Sequence, residues 1–152
     1  MEKTYEDWLK EVAADGKELR NVPPAFMTEE ICHAAVKNWG IALQFAPDSV
    51  KSPEVCRTAV EHWSVALQYV PEALRTPELC MYAVQHDGWT LTYVPERLRS
   101  AEICRAAMAH DPNAFTEVPE ALKTLDVCLK AVRHAGSMLR YVPVTLRKAE
   151  SC

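Results

Sequence analysis

Glycine is scarce in this 152-residue chain, at four residues, and phenylalanine scarcer still, at three. So few glycines leave no material for a glycine-rich phosphate-binding loop, which needs several within one short stretch. No segment approaches the roughly 18 consecutive apolar residues of a membrane-spanning helix. Met1-Glu2-Lys3-Thr4-Tyr5-Glu6-Asp7 is acidic and lacks the basic and apolar regions of a secretory leader. Positive charge is not in excess: 17 Lys and Arg stand against 21 Asp and Glu, a formal balance of −4. That balance speaks against a general binder of nucleic acid or anionic membrane, because both need clustered cations. The expected location is the cytoplasm, although an effector exported without a leader would read the same way.

Proline and cysteine, by contrast, are arranged with great regularity. Pro23, Pro47, Pro71, Pro95, Pro119 and Pro143 recur every 24 residues, and so do Cys32, Cys56, Cys80, Cys104, Cys128 and Cys152. A fixed period of this length is the signature of a repeat architecture. Starting each unit at its Ser or Thr gives full repeats at 28–51, 52–75, 76–99, 100–123 and 124–147. A divergent capping unit precedes them at 4–27, and a stub at 148–152 begins another. The whole chain, 1–152, reads as a single repeat domain.

Each unit predicts one longer helix followed by one or two short helical turns. In the third unit Thr76 is a natural N-cap, Pro77 suits the first helical position and Glu78 complements the dipole. Leu79, Cys80, Ala83 and Val84 then form one apolar face, with Met81, Tyr82 and Gln85 opposite. Gly88, like Gly16, Gly40 and Gly136, is expected to end this helix in a left-handed cap. Ser64 and Pro112 share the column, so such a cap cannot be general. A short segment around Leu91 follows, matching Leu19, Leu43, Leu67, Phe115 and Leu139, and the column proline interrupts it. No unit can bury its apolar face alone, so neighbours must stack. The expected fold is all-α, a short right-handed-type α-solenoid about 50–60 Å long at helix layers of roughly 8–10 Å. The first unit suits a terminal surface, with Asp7 and Glu11 where later units carry aliphatic residues and Ala.

The Ala66-Leu67-Gln68-Tyr69-Val70-Pro71-Glu72 and Leu79-Cys80-Met81-Tyr82-Ala83-Val84 elements resemble a bacterial family catalogued as domain of unknown function 4116. The resemblance covers nearly the whole chain. The pattern is also distantly similar to the leucine-rich repeat variant, another 24-residue helical unit. Neither resemblance implies a chemistry, a cofactor or catalytic residues. Tandem arrays of this kind imply a scaffold or interaction role.

Several columns invite a chemical reading. Equivalent cysteines in adjacent layers stand about 8–10 Å apart, beyond the roughly 7 Å limit for a disulfide, and none has the close spacing of a zinc site. They are expected to be small buried hydrophobes, except Cys152, whose truncated unit leaves its thiol open. His62, His86, His110 and His134 lie at helix C-termini, where an imidazolium could cap free carbonyls. One per layer is too sparse to gather on one metal ion. A Cys80–His86 dyad fails as well, since six residues on a helix separate the pair by about 120° and about 9 Å. Lys51, Arg75, Arg99, Lys123 and Arg147 form a basic column, the first four flanked on both sides by carboxylates three residues away, which reads as a solvated lattice of local pairs.

Aromatic residues are the remaining candidates. Phe45, Tyr69, Tyr93 and Tyr141 share one column, broken by Glu117. Trp39 and Trp63 share another, in which Asp15, Asp87, Asp111 and Ala135 substitute, and Trp89 sits two positions further on. Two readings are open: rings that cover the edge of the core, or a clustered contact surface. On the second, Trp39, Trp63, Trp89, Tyr69 and Tyr93 are the candidate partner-binding residues. The leading expectation is a non-enzymatic module that binds a protein or peptide, with no cofactor, metal, nucleic acid or membrane. The alternative is a homo-oligomerising structural element or an accessory piece of a larger system, with a homodimer joined through the apolar C-terminal end (Tyr141, Val142, Val144 and Leu146) as its expected form. A small hydrolase or metal-dependent enzyme ranks third, for want of a nucleophile–base pair or a metal-spaced cluster.

Overall fold

Every unit opens with the same hydrogen bond, and the computed structural model, which describes residues 2–150 with side chains through 147, shows how that bond sets the architecture. Thr28, Ser52, Thr76, Ser100 and Thr124 each accept, on the side-chain oxygen, the N–H three residues on (Ile31, Val55, Leu79, Ile103 and Val127) at 3.2–3.4 Å. This satisfies one of the donors that a helix start leaves free. The helices so begun are α2 (Glu29–Asn38), α3 (Pro53–His62), α4 (Pro77–His86), α5 (Ala101–His110) and α6 (Leu125–His134). α1 (Tyr5–Ala14) starts with a full capping box between Thr4 and Asp7, and α7 (Val144–Glu150) lies at the far end. Among the described residues there is no strand, and no helix is long and apolar enough to cross a membrane.

After each of α1 to α6 the chain takes one extended residue and then a six-residue 3₁₀ helix. These are Gly16–Asn21, Gly40–Phe45, Ser64–Tyr69, Gly88–Tyr93, Pro112–Glu117 and Gly136–Tyr141. The extended residue is Asp15, Trp39, Trp63, Asp87, Asp111 or Ala135, with φ near −150° and ψ near 100°. At Asp15, Trp39, Trp63, Asp111 and Ala135 the N–H still reaches the carbonyl four residues back. Glycine is not left-handed here: no residue of the chain described has positive φ. The helix ends through this extended residue, and the column glycine begins the next helix instead.

The glycines serve close approach. A Cβ on Gly16 would stand 2.6 Å from the Ala35 carbonyl oxygen, and one on Gly40 2.5 Å from that of Ala59. A Cβ on Gly88 would collide with the Ala107 carbonyl oxygen. The 3₁₀ helix of one repeat is therefore pressed against the α-helix of the next. A second 3₁₀ turn of three residues, as at Asp48–Val50 or Glu120–Leu122, follows the column proline and leads to the next N-cap.

The chain divides into two compact units, Met1–Ala83 and Val84–Cys152, the division falling inside α4. In the first, Val12, Leu19, Ile31, Val36, Leu43, Val55, Val60 and Leu67 are fully buried. In the second, Leu91 and Phe115 are fully buried, and Phe115, Cys128, Ala131 and Val142 form a core bordered by Met108, Val127, Val132, Met138 and Leu146. Val142 is thus a core residue rather than part of an exposed end. The fold is an all-α array of stacked 24-residue repeats, each an α-helix with short 3₁₀ pieces, as the periodicity predicts.

Candidate interaction surface

The columns that looked reactive turn out to hold the repeats together. Cys32, Cys56 and Cys80 are fully buried, and Cys104 and Cys128 nearly so. The Cys80, Cys104 and Cys128 thiols donate to the carbonyls of Arg75, Arg99 and Lys123 at 3.6–3.8 Å. Each thiol thus serves the residue just before its own N-cap, a weak bond that only a small side chain with a donor supplies there. Burial pushes the Cys32 thiol from its ordinary 9.0 up to about 12 and Cys56 up to about 11. A thiol held protonated is a poor nucleophile. Cys152 lies outside the described residues.

His110, in the histidine column, does not cap its own helix as an imidazolium. His110 Nδ1 accepts the N–H of Gly88, in the preceding repeat, at 3.1 Å. An accepting nitrogen carries a lone pair, so this ring is neutral with its proton on Nε2 when the bond is made. Asn38 holds the same position in the first full repeat, taking the Gly16 N–H on Oδ1 at 2.8 Å and donating Nδ2 to the Ala14 carbonyl at 3.2 Å. A short side chain that can accept is what this junction requires.

The basic column is likewise not a solvated lattice. The Lys51, Arg99 and Lys123 side chains are 9%, 17% and 8% exposed. Lys51 Nζ donates to the Tyr69 carbonyl at 2.7 Å, Arg99 Nη1 to that of Glu117 at 2.9 Å and Lys123 Nζ to that of Tyr141 at 2.9 Å. Each acceptor lies 18 residues ahead, at the end of the next repeat's 3₁₀ helix. Arg99 also donates Nε to Val94 and Nη2 to Thr92, and Arg75 reaches Val70 and Gln68 in the same way. Cations here satisfy the carbonyls that a helix C-terminus leaves free. Asp48 and Glu120 add exposed ion pairs at 3.4 and 3.7 Å, of little energetic weight.

With these columns assigned to the scaffold, the aromatic residues can be placed. Trp39 ends α2 half-buried, its ring 6.3 Å from Phe45 and its face 5.7 Å from Lys17 Nζ. Trp63 holds the equivalent place after α3, also half-buried. Tyr69 is half-buried in the same unit. In the second unit Trp89 is 54% exposed and meets Tyr93 edge to face at 5.6 Å. Trp89 also walls a shallow groove with Thr92, Asn113, Ala114, Thr116 and Glu117. The five candidates thus fall into two groups, one in each compact unit.

The tryptophan column has a distinct local chemistry. Asp15, Asp87 and Asp111 each accept the N–H two residues on (Lys17, Trp89 and Asn113) at 3.0–3.1 Å, which caps the 3₁₀ helix. Trp39 and Trp63 make no such bond. A cleft in the first unit is framed by Pro53, Arg57, Glu61, Leu74, Leu79 and Tyr82, drawn from both the apolar and the solvated faces of the helices. There the Tyr82 hydroxyl donates to the Glu61 carbonyl at 3.3 Å. Leu79 and Tyr82 are each half-buried there, so the cleft edge falls between the two faces that the helical periodicity separates. Among the described residues no three His, Cys, Asp or Glu side chains converge on one point.

No curated protein and no solved structure matches the chain. A family model, that of a domain of unknown function (DUF4116), matches three times in overlapping register, over residues 28–75, 52–99 and 76–123. Each match spans two repeats and steps by one, so the family's unit is the repeat pair. This chain belongs to the family of that domain of unknown function.

Proposed function

We propose that the protein is a non-enzymatic interaction module that holds a protein or peptide partner against its aromatic surface, with Trp39, Trp63, Trp89, Tyr69 and Tyr93 as contact residues. One observation carries this reading. At the position where aspartate caps the 3₁₀ helix, Trp39 and Trp63 give up the cap and leave large rings only half covered. Local stability favours aspartate there, so the rings answer a different demand, and tryptophan is enriched among residues that dominate binding. Trp89, more exposed still, supports the same reading in the second unit. The formal charge of −4 favours a protein over nucleic acid as partner.

The test is the double variant Trp39→Asp, Trp63→Asp. Aspartate occupies this position in three other repeats and gains a cap, so helicity and unfolding midpoint should change little. Capture of partner from the native cell should fall at least tenfold. A variant that unfolds assigns the rings to the core, and one that folds and still captures places binding elsewhere. Either result overturns the reading. A second reading, self-association through the last repeat, rests on the exposed Leu139, Tyr141 and Val144.

A further inference from the structure

The basic column closes a turn that the column proline leaves open. In a 3₁₀ helix a carbonyl accepts the N–H three residues on, and proline has none. Gln68 stands three residues before Pro71, and Thr92 three before Pro95. Arg75 supplies the missing donor, giving Nη2 to the Gln68 carbonyl at 3.0 Å and Nε to that of Val70 at 2.8 Å. Arg99 repeats both bonds, to Thr92 at 3.3 Å and Val94 at 2.9 Å, and sends Nη1 forward to the Glu117 carbonyl at 2.9 Å. Lys51 and Lys123 make the forward bond, to Tyr69 at 2.7 Å and Tyr141 at 2.9 Å. The full cage is therefore three carbonyls, lying seven and five residues behind the column position and 18 ahead of it.

The first repeat has the cage without the cation. Its column position is Met27, a side chain with no hydrogen-bond donor. The carbonyls in register with it are those of Arg20, three residues before Pro23, of Val22 and of Phe45. Those four residues line one solvent-open pocket, walled further by Pro24 and Pro47. All of them lie in the first compact unit. Among the described residues that line the pocket none is acidic. The neighbouring Asp48 is paired with Lys51 at 3.4 Å, and the Arg20 side chain is exposed. Carbonyl dipoles among apolar walls suit an organic cation. A hard metal ion takes about six or more oxygen ligands, carboxylates among them.

We infer that this pocket takes the guanidinium of an arginine side chain presented by a partner protein, in the place that Arg75 and Arg99 fill in their own repeats. A planar fork with five N–H groups serves all three carbonyls, which an ammonium on a flexible stem does less well. The methylenes of the incoming arginine pack on Met27 and Phe45. The groups that hold the charge are neutral carbonyls, so the contact adds little dependence on salt. Phe45 is also the neighbour of Trp39, their ring centroids 6.3 Å apart, which sets the pocket beside the aromatic surface. The inference rests on the interaction-module reading only for the existence of a protein partner. Trp39→Asp, Trp63→Asp leaves Met27 and the three carbonyls in place, and a Met27 variant leaves both tryptophans, so the two readings fail separately.

The probe is a short peptide, blocked at both ends, with one arginine between glycines. It is titrated into the full chain while the backbone amide NMR signals of Val22, Met27, Ala46 and Asp48 are followed. These signals should shift saturably. Lysine in place of the arginine should weaken binding at least threefold, and norleucine should abolish it. Met27→Arg fills the cage from within, so that variant should melt no lower than the parent and bind the peptide at least tenfold more weakly. If Met27→Arg fails to fold, Met27→Lys, which copies Lys51, carries the same comparison. An absence of saturable shifts in the parent overturns the inference, as does equal affinity for the norleucine or lysine peptide. Undiminished binding by the folded variant overturns it too. So does a folded Met27→Arg that melts well below the parent, since the carbonyls then do not receive the side chain.

Discussion

Folding changes the Cys32 and Cys56 thiols strongly. Burial holds them protonated to about 12 and about 11. In the unfolded chain they ionise near the ordinary 9.0. Between those values the unfolded state binds fewer protons than the native state, so the stability slope with pH is negative. The stabilisation from keeping the thiols neutral is full below pH 9 and is lost as pH rises toward 11. Two outcomes follow. At pH 8 the native protein should react with thiol reagents at Cys32 and Cys56 only as fast as it unfolds. The urea midpoint should fall between pH 9 and 10.5, more steeply in the parent than in Cys32→Ala. Prompt labelling of these two residues in the native protein, or identical slopes in the two proteins, would remove the packed-thiol account. The other repeated polar residues act by the same economy of position. His110, Asn38, Lys51, Arg99 and Lys123 each satisfy a backbone group that the turn between helices leaves open.

Helix starts, the all-α class and the leucine core could be read from the sequence because their causes are local. A Ser or Thr cap bonds three residues on, and the Leu79-Cys80-Ala83-Val84 face lies within one helix. What could not be read depends on partners in the next repeat. Gly16 meets Ala35, and Lys51 meets Tyr69, so a constant column announces that a residue matters without naming what it touches. The glycine column shows the consequence. Its spacing after a helix suggested left-handed caps, yet the residues have ordinary φ and are needed for close approach. Ser64 and Pro112 carry a Cβ at the same position, so the tightness of approach is set repeat by repeat. Gly40→Ala should therefore cost about 1–3 kcal/mol, the range for overpacking a close contact. Gly136→Ala meets open space and should stay within about 0.5 kcal/mol of the parent, as surface changes do. Urea unfolding of the two variants decides it. Equal costs would mean that backbone conformation, rather than approach, selects glycine here.

At the scale of the whole molecule, the distribution of charge decides what kind of recognition is open to it. The chain carries a formal charge of −4, and Lys51, Arg75, Arg99 and Lys123 of its basic column are committed to backbone carbonyls rather than displayed. Lys17 lies over the Trp39 ring, where it helps to cover the aromatic face. The exposed large apolar side chains are Trp89, Leu125, Leu139, Tyr141 and Val144, with Trp39 and Trp63 half covered, and on the proposed reading the aromatic ones carry recognition. Apolar association is not weakened by screening ions, whereas a polyelectrolyte contact that neutralises many phosphates loses about 10³–10⁵ in affinity between 50 and 200 mM salt. Partner capture by this protein should therefore change less than about threefold between 50 and 500 mM sodium chloride, given the screening lengths of exposed charges over that range. The measurement is quantitative capture across the salt series, run with the parent and with Trp39→Asp, Trp63→Asp. A steep decline with salt in the parent would shift recognition from the rings to charged groups. The double variant would then retain the parent's affinity at low salt, and the aromatic surface would be a cover for the repeat edge rather than a site.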